Sequence, residues 1–443
     1  MNGLTRRIPL EEAAASAAPY VVSDIAPLRR VIVNAPSPAD YHLEVATGNF
    51  LHYNPPPVEA ARQHAQLERL LAASGAEVLS MERLLDEAIE EARGKGQFAT
   101  WLRASLPRLA PWAGSATGAT LLARAGQVQF QTDAEGIYRH IVDHRLGLAF
   151  TRDLAVMTPR GWILGNFISP SRRGEAALMR FSAEFAPSLR PYPVLFDALE
   201  AGLCLVGGDL QVVDERTLLA GVGHCTDPRV APLLARRLDM DVIAVRMRGS
   251  STVRWQPDSS VLTHMFLHLD SCFTRVDNRL AVALPYFLEA AYADRDPLTR
   301  FLKGLLVEPT VDAAQTDAAI ASLAGIGWVR RYRAGSGDVD DSCEGMKLVD
   351  LVRTWGWQVD FVGGAATDAL DMEHFFRVVL AEHDKQASNL VATAPGRVLA
   401  YADAPRTHAA LQARGVDVQT FDGRDLWPWW GGPHCLTLPL ERG

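Results

Sequence analysis

The chain has 443 residues, of which 48% are hydrophobic and 22% are charged, and its formal net charge is -8. This composition supports a full hydrophobic core and is not that of a disordered chain. The acidic balance argues against nucleic acid as a partner, and no apolar stretch is long enough to predict a membrane span.

Short apolar runs that are typical of strands alternate with helical patterns along most of the chain. The strand-like runs include residues 30–33, 155–157, 161–164, 210–213, 218–222, 242–245 and 398–401. The helical patterns include residues 58–73, 175–185, 228–238 and 407–414. This alternation predicts an α/β protein, with weak similarity between β-α units but no fixed period.

The pattern changes between residues 81 and 144. Residues 81–92 and 97–102 have helical patterns, and we also predict a helix over 134–142. We therefore predict an all-helical insertion at 81–144. It would divide a catalytic domain into a first part, 1–80, and a remainder, 145–443.

The five cysteines are odd in number, widely spaced and without a CxxC pair: Cys204, Cys225, Cys272, Cys343 and Cys435. This pattern is typical of free thiols in a reduced compartment and argues against a zinc site built on thiolates. Residues 1–19 also lack the pattern of a signal peptide. We therefore predict a cytoplasmic protein, and the absence of a nucleotide-binding motif predicts no cofactor.

Two segments carry candidate catalytic residues. Cys435 follows Gly431 and Gly432 at a predicted loop–strand junction, where the backbone can approach a ligand closely. His268 and Asp270 have a spacing of two, which would place them on one face of a strand, where the imidazole could act as a general base. A buried, hydrogen-bonded histidine and a metal site with His264 are the alternatives.

Three further segments carry charged residues at predicted loop edges. Arg152 and Asp153 open an apolar stretch, Arg172 precedes a helix, and Asp209 ends a Gly-Gly-Asp turn before a strand. An arginine before a helix could bind a carboxylate with two hydrogen bonds. The alternatives are a surface ion pair, an ordinary turn and a solvated helix start.

Taken in order, these segments resemble arginine deiminases of the guanidino-group-modifying superfamily. The matching motifs are Phe-Thr-Arg-Asp (150–153), Ser-Arg-Arg-Gly-Glu (171–175), Gly-Gly-Asp (207–209), His-Leu-Asp-Ser-Cys-Phe-Thr (268–274) and Gly-Gly-Pro-His-Cys-Leu-Thr (431–437). The resemblance runs from about residue 28 to 439. It implies a pentein fold, an α/β-propeller of five ββαβ-type units around a pseudo-fivefold axis, with a small guanidine as substrate.

The resemblance also implies roles for the candidate residues. Cys435 would attack the guanidinium carbon and form a covalent amidino-thioether, with His268 as general acid and base. Asp153 and Asp270 would grip the guanidinium. Arg172 would bind the substrate carboxylate, and we assign Asp209 and His224 to substrate binding as well.

Three positions depart from the pattern of that family. Val206 stands where the family has a glutamate. Cys225 falls at about the position of the family's second carboxylate-binding arginine, and Gly147 falls at the position of an asparagine. Because these changes concern substrate recognition, we predict an altered substrate, such as a modified arginine. His224 and the tryptophans at 427, 429 and 430 could form new pocket walls, although core packing explains the tryptophans equally well.

The leading prediction is therefore a deiminase-type hydrolase that acts on arginine or a modified arginine. Amidino transfer to an amine and a non-catalytic pentein binding protein are the alternatives. A homo-oligomer is compatible with the sequence.

Overall fold

The computed structural model describes residues 19–36, 57–124, 128–132, 138–142, 148–168, 172–248, 265–308, 312–364, 371–429 and 431–443. Helices and strands alternate along these ranges, which confirms the predicted mixed α/β class. In this part of the chain, no helix combines the length and the apolar character that a bilayer crossing requires.

Five sheets share one strand arrangement. In each sheet the first strand is antiparallel to the second, and the second is parallel to the third. The sheets are β5 (Ala155–Met157), β6 (Trp162–Leu164) and β7 (Val194–Asp197); β8 (Leu210–Asp214), β9 (Thr217–Val222) and β10 (Asp241–Arg246); β11 (Phe273–Asp277), β12 (Leu280–Ala283) and β15 (Gln358–Phe361); β16 (Val391–Ala394), β17 (Arg397–Tyr401) and β18 (Asp417–Phe421); and β19 (Leu438–Arg442), β1 (Leu28–Val33) and β2 (Glu77–Ser80).

A helix lies between the second and third strand of every sheet, because parallel neighbours need a crossover connection. These helices are α6 (Arg173–Phe185), α7 (Val230–Leu238), α11 (Leu348–Thr354), α14 (Pro405–Ala413) and α1 (Pro57–Ala73). The repeated unit is thus ββαβ. The repetition is topological, and it explains why the sequence shows only weak similarity between units.

The third unit holds the longest connection between its second and third strands. It contains α9 (Pro297–Leu305), α10 (Ala313–Ala324), β13 (Val329–Tyr332) and β14 (Val339–Asp340). β13 pairs with β10 and β14 pairs with β13, so this segment extends the second sheet. Between the third and fourth units lie α12 (Met372–His374), a π-helical turn (Phe375–Val379) and α13 (Leu380–His383).

The fifth unit joins the two ends of the described chain. β1 pairs antiparallel with β19, from Leu28 opposite Arg442 to Ile32 opposite Leu438. The buried Arg442 guanidinium donates to the carbonyl oxygens of Ala26 and Ala392, at 2.9 and 2.8 Å. The strand that follows Cys435 is therefore fixed by residues from both ends of the sequence.

The segment after β2 combines helices with a strand pair. It contains α2 (Met81–Gly94), α3 (Phe98–Ser105), α4 (Gly118–Arg124), β3 (Val128–Thr132) and β4 (Tyr138–Val142). β3 and β4 pair antiparallel, so the predicted helix over 134–142 is wrong for 138–142, and the insertion is not all-helical. Aromatic and β-branched residues in β4 favour a strand once a partner strand is available.

The helices of this segment pack on the first sheet unit. Ser80 caps the N-terminus of α2, because its hydroxyl accepts the Arg83 backbone N–H, and the helix buries an apolar face that includes Leu84 and Ile89. The Trp101 ring stacks on Phe181 of α6, with ring centroids 4.0 Å apart. Segment and first unit thus share one hydrophobic cluster.

Candidate active site

A short turn or loop with at least one buried polar side chain or thiol precedes the first strand of every sheet. The elements are α5 (Thr151–Leu154), the 3₁₀ helix Gly207–Asp209, α8 (Leu269–Cys272) and the loops before β16 and β19. Their polar residues are, in order, Asp153, Asp209, Asp270, Asn389 and Cys435, and all five are buried. Equivalent positions of five repeated units therefore supply the residues of one site.

The predicted strand through His268 and Asp270 is wrong. His268 has an extended backbone and immediately precedes α8, so the two side chains do not share a strand face. The Asp209 carboxylate accepts the Leu269 backbone N–H at 3.0 Å. This contact with another unit, which local sequence does not encode, stabilises the start of the turn.

Cys435 is held by Asn389. The Cys435 backbone N–H donates to Asn389 Oδ1 at 3.0 Å, and Asn389 Nδ2 donates to Cys435 Sγ at 3.1 Å. Burial, together with the Asp270 and Asp153 charges, raises the pKa of the Cys435 thiol well above its ordinary value. In the ligand-free protein the thiol is therefore protonated, and a bound cation would favour its ionisation.

The Gly-Gly pair before this turn permits close packing against Asn389 and Phe150, whereas the predicted close approach of this backbone to a ligand stays a prediction. A Cβ atom at Gly432 would lie 2.6 Å from Asn389, and one at Gly431 would lie 2.0 Å from the Phe150 ring. Neither distance is compatible with a side chain unless neighbouring atoms move.

Asp270 uses one carboxylate oxygen and leaves the other unpaired. Its Oδ2 accepts from His434 Nδ1 at 2.8 Å and from Cys435 Sγ at 3.5 Å. Its Oδ1 is buried without a hydrogen-bond partner. Burial opposes ionisation, but the His434 hydrogen bond and the positive charges of His268 and Arg152 lower the pKa of Asp270 below its ordinary value.

Asp153 lies between a histidine and an arginine. Its Oδ1 is 3.6 Å from His268 Nδ1, too far for a hydrogen bond, and this buried oxygen has no other partner. Its Oδ2 accepts from Arg172 Nη1 at 3.0 Å. Burial disfavours the imidazolium, but Asp153, a hydrogen bond with Cys225 and the Asp209 charge raise the pKa of His268 to about 10.

Arg172 is anchored on both sides, so it is not a solvated helix start. Its guanidinium donates to both oxygens of Glu175, at 3.0 and 2.8 Å, and lies 4.0 Å from the centroid of the Phe167 ring. Burial opposes the charge, while Glu175 and Asp153 hold the Arg172 pKa above its ordinary value. Arg172 thus offers Asp153 the same planar donor group that an arginine substrate carries.

Asp209 and His224 lie beside His268. Asp209 Oδ2 accepts from the Thr226 hydroxyl at 2.6 Å, and burial raises the pKa of Asp209 to about 7. Because both Asp209 oxygens have protein partners, its contacts are structural in this ligand-free state. Burial and the charges of Arg248 and His268 lower the pKa of His224, whose Nδ1 is buried without a partner.

Arg152 contradicts the expectation of a surface ion pair. Its side chain is buried, and its Nη2 donates to Asp24 Oδ2 at 3.1 Å and to the Leu210 carbonyl oxygen at 2.7 Å. Its backbone N–H donates to the Cys435 carbonyl oxygen at 3.1 Å. Arg152 therefore links the turn of Asp153 to the turn of the candidate nucleophile.

The sequence did not indicate three partners of these residues: Asn389, Glu175 and His434. Asn389 belongs to no recognisable motif, and Glu175 and His434 lie inside quoted motifs without an assigned role. Each of the three contacts a residue of another element or of another helical turn. A local sequence pattern does not show such contacts. Only the position of Asn389, directly before a strand-like run, could have suggested a place in the repeated pattern.

Several predicted positions lie outside the described residues, namely Gly147, His264 and Trp430. Trp427 is half-buried and packs on a hydrophobic cluster, as the core-packing alternative predicts for it. Among the described residues, no group of three or more His, Cys, Asp or Glu side chains is arranged to hold a metal ion.

Comparison with known proteins identifies one family. The sequence model of the family described as "Arginine deiminase" matches residues 122–300 and 378–442, which is more than half of the chain. Arginine deiminase of Metamycoplasma hominis is 24% identical over 441 residues, with 96% of each chain covered. That of Mycobacterium tuberculosis is 25% identical over 447 residues, covering 95% of this chain and 97% of the relative.

Solved structures that match most of this chain, at TM-scores below 0.5, include those of two enzymes. One is the N-terminal domain of ArgZ bound to product, an arginine dihydrolase from cyanobacteria, with a TM-score of 0.49 and 14% identity over 93% of this chain and 97% of that chain. The other is DDAH from Pseudomonas aeruginosa complexed with citrulline, with a TM-score of 0.48 and 12% identity over 93% of this chain and 99% of that chain.

Proposed function

Because this chain belongs to the arginine deiminase family, we propose that it hydrolyses the guanidino group of arginine or of a modified arginine. Cys435 is the nucleophile of this reaction, and His268 is the general acid and base. Asp153 and Asp270 bind the guanidinium.

One observation carries the proposal. Asp153 Oδ1 and Asp270 Oδ1 are buried carboxylate oxygens without a hydrogen-bond partner, and they belong to residues that contact His268 and Cys435. A buried, unpaired carboxylate oxygen costs free energy unless a ligand supplies a donor or a positive charge. A guanidinium supplies both, in a planar array of N–H groups that fits carboxylates.

The reaction begins when the bound guanidinium cation favours ionisation of Cys435, whose thiol proton passes to solvent water. The thiolate attacks the guanidinium carbon and forms a C–S bond, and the C–N bond to the departing nitrogen then breaks. Protonated His268 donates its proton to that nitrogen, which leaves as ammonia. The product of this half-reaction is an amidino-thioether on Cys435.

In the second half-reaction, neutral His268 accepts a proton from a water molecule, whose oxygen attacks the same carbon. The C–S bond breaks, and the urea leaves after its excess proton passes to the Cys435 thiolate, which restores the thiol. The net reaction converts a guanidine and water into a urea and ammonia. Arg172 holds Asp153 in place through its hydrogen bond to that carboxylate, and His224 lies close enough to His268 for their charges to interact.

We also propose that the five ββαβ units close into a pentein propeller around the site. The common strand arrangement and the equivalent positions of Asp153, Asp209, Asp270, Asn389 and Cys435 support this proposal. Residues 81–144 are then an insertion between the fifth and the first unit, and the free thiols suit a cytoplasmic enzyme.

The test is mass spectrometry of the intact protein after incubation with arginine and with substituted guanidines. Wild type should gain the mass of the whole substrate less one ammonia, and it should release ammonia and then a urea product. Cys435→Ala should do neither, whereas Cys343→Ser, a change at a buried thiol of a different core region, should behave as wild type. Release of an amidinated amine instead of a urea would contradict hydrolysis, and no adduct with any guanidine would contradict the proposed chemistry.

A further inference from the structure

Asn389 contacts the candidate nucleophile and has no part in the reaction described above. It lies in the loop before β16 and is fully buried. Its Oδ1 accepts the Cys435 backbone N–H at 3.0 Å, and its Nδ2 donates to Cys435 Sγ at 3.1 Å. A donor to this sulfur can act on the reaction itself, because the thiol must become a thiolate before it attacks.

The hydrogen bonds around Asn389 determine which end of the amide faces the sulfur. Besides its contact with Cys435, Nδ2 donates to the Asp270 carbonyl oxygen at 3.0 Å. A rotated amide would place its amino group against the Cys435 backbone N–H and its oxygen against that carbonyl, so two hydrogen bonds would become repulsive contacts. Nδ2 therefore uses one N–H on Asp270 and directs the other at Cys435 Sγ.

The amide is fixed by both loops that surround it. The His434 backbone N–H donates to the Asn389 carbonyl oxygen at 3.2 Å, and the neighbouring Ser388 hydroxyl donates to the Ser271 carbonyl oxygen of α8. A Cβ atom at Gly432 would lie 2.6 Å from Asn389, so the turn of the nucleophile packs closely on this residue. The donor is thus in place before the sulfur ionises.

The carboxylates that face the sulfur oppose its ionisation. Asp270 Oδ2 on α8 is 3.5 Å from Cys435 Sγ, and Asp153 on α5 adds a second negative charge. Burial is the main cause that raises the pKa of Cys435, and the two carboxylates raise it further. The hydrogen bonds of the Asn389 amide and of the Gly432 backbone lower it.

The other titratable groups around the sulfur are two rings and one imidazolium. His434 donates to Asp270, and its pKa is lowered by burial and by a nearby arginine, so its ring is neutral. Burial raises the pKa of Tyr401 on β17 well above its ordinary value, so this ring is neutral as well. The positive charge of His268 lies 3.6 Å from Asp153 Oδ1. The amide is therefore a neutral donor at a sulfur with two carboxylates nearby.

We propose that Asn389 is a positioning residue that stabilises the Cys435 thiolate through its side-chain N–H. This inference rests on the proposed function and deepens it. The hydrogen bond strengthens when the thiol proton passes to water and the sulfur becomes charged. It weakens when the C–S bond forms, because a thioether sulfur is a weak acceptor. Asn389 does not bind the guanidine, because its amide oxygen and both N–H groups have partners in the protein.

The first test measures the ionisation of Cys435 without turnover. Chloroacetamidine, a small amidinium cation, alkylates a thiolate with loss of chloride, and intact mass gives the rate at each pH. Cys435→Ala supplies the background of the other four thiols. Asn389→Ala should raise the midpoint of the pH–rate profile by about one to two pH units and slow alkylation at least roughly tenfold below it.

An unchanged or lower midpoint would overturn the inference. If Asn389 only anchors the turn, its removal loosens the turn and hydrates the thiol. Relief of burial lowers the pKa of a thiol, so this alternative predicts a shift of the opposite sign.

Ser388→Ala is the matched control, because it removes a buried hydrogen bond of the same loop without touching Cys435. Its midpoint should equal that of wild type, and an equal rise in both variants would overturn the inference. If Asn389→Ala does not fold, Asn389→Leu replaces it, since leucine has a similar volume and no donor. NMR of the wild-type Asn389 side-chain amide needs neither variant. One N–H should shift with the Cys435 midpoint, and an amide that does not titrate also overturns the inference.

The second test separates kcat from KM in the active enzyme. Asn389→Ala should lower kcat by roughly tenfold or more with little change in KM, because the lost hydrogen bond acts on the thiolate and not on the bound guanidine. An increase in KM alone would instead make Asn389 a substrate contact and contradict the positioning role.

The two proposals can fail separately. If wild type processes no guanidine but Asn389→Ala still raises the alkylation midpoint, the proposed function is wrong and the role of Asn389 at the thiolate is supported. If wild type processes guanidines and the midpoint does not move, only the role of Asn389 is wrong. A Cys435 that chloroacetamidine alkylates at no pH would contradict both.

Discussion

At the scale of single residues, the two oxygens of the Asp270 carboxylate have different surroundings. His434 and Cys435 both contact Oδ2, which leaves Oδ1 available within the buried site. Burial and the Arg152 charge lower the pKa of His434, so a neutral ring donates its Nδ1 proton to Asp270. The unpaired oxygen is therefore held in a fixed direction before any ligand binds.

Removing this charge should disable the site while preserving the fold. We expect Asp270→Asn to lower kcat/KM by about 10²- to 10⁴-fold, because a charge-assisted hydrogen bond to the guanidinium is lost and the thiolate loses its bound cation. Steady-state kinetics measure the change. Asp214→Asn, at an exposed carboxylate that ends β8, is the control, and a similar loss in both variants would contradict the role of Asp270.

At the scale of elements, the turn that carries Cys435 is held by the loop before β16 and by the end of β17. His434 N–H donates to the Asn389 carbonyl oxygen at 3.2 Å, and the Tyr401 hydroxyl donates to the Gly431 carbonyl oxygen at 2.9 Å. With the two contacts between Asn389 and Cys435, these bonds tie the turn to β16 and β17. The thiol is thus held in place by hydrogen bonds between its turn and these neighbouring elements.

A side chain at Gly432 should disturb this turn. Gly432→Ala places a Cβ atom 2.6 Å from Asn389, so we expect the free energy of unfolding to fall by about 1–3 kcal/mol and kcat to fall by at least roughly tenfold. Gly304→Ala is the control, because nothing lies within 4 Å of a Cβ atom at that position of α9. Urea unfolding measures the free energy of unfolding of both variants, and steady-state kinetics measure kcat. Wild-type values of both quantities for Gly432→Ala would contradict close packing at the turn.

The sequence predicted regular elements better than turns. The apolar runs at β8, β9 and β17 predict these strands correctly, because a buried strand consists mostly of apolar residues. The turns that hold Asp153, His268 and Asp270 are set by contacts between units, such as Asp209 with Leu269, which local patterns do not contain. In β3, the alternation Val-Gln-Phe-Gln-Thr is typical of a strand, in contrast to the all-helical insertion that we predict for this region.

At the scale of the whole molecule, the protonation of His268 links the site to stability. The folded protein raises the pKa of His268 from 6.5 to about 10, so it holds this proton more tightly than the unfolded chain. The contribution of His268 to the free energy of unfolding is therefore complete below about pH 6.5. It is lost as the pH rises through about 10.

We expect this contribution to be visible in a comparison of wild type with His268→Gln. The difference in their free energies of unfolding should fall by an amount on the order of a few kcal/mol between pH 7 and pH 10. Urea unfolding at fixed ionic strength measures it. This range also lies above the Asp209 pKa of about 7, so that carboxyl contributes little to the slope. A difference that does not vary with pH would contradict a strongly held His268 proton.

The pairing of β1 with β19 has a consequence for synthesis on the ribosome. The paired residues Leu28 and Arg442 are separated by roughly 400 positions, so β1 emerges long before its neighbour exists. Until then, that edge of β1 offers unpaired backbone groups to any other strand. The nucleophile reaches its place only when this last pairing forms. A nascent chain that ends before β19 therefore lacks the strand pair that fixes the segment after Cys435.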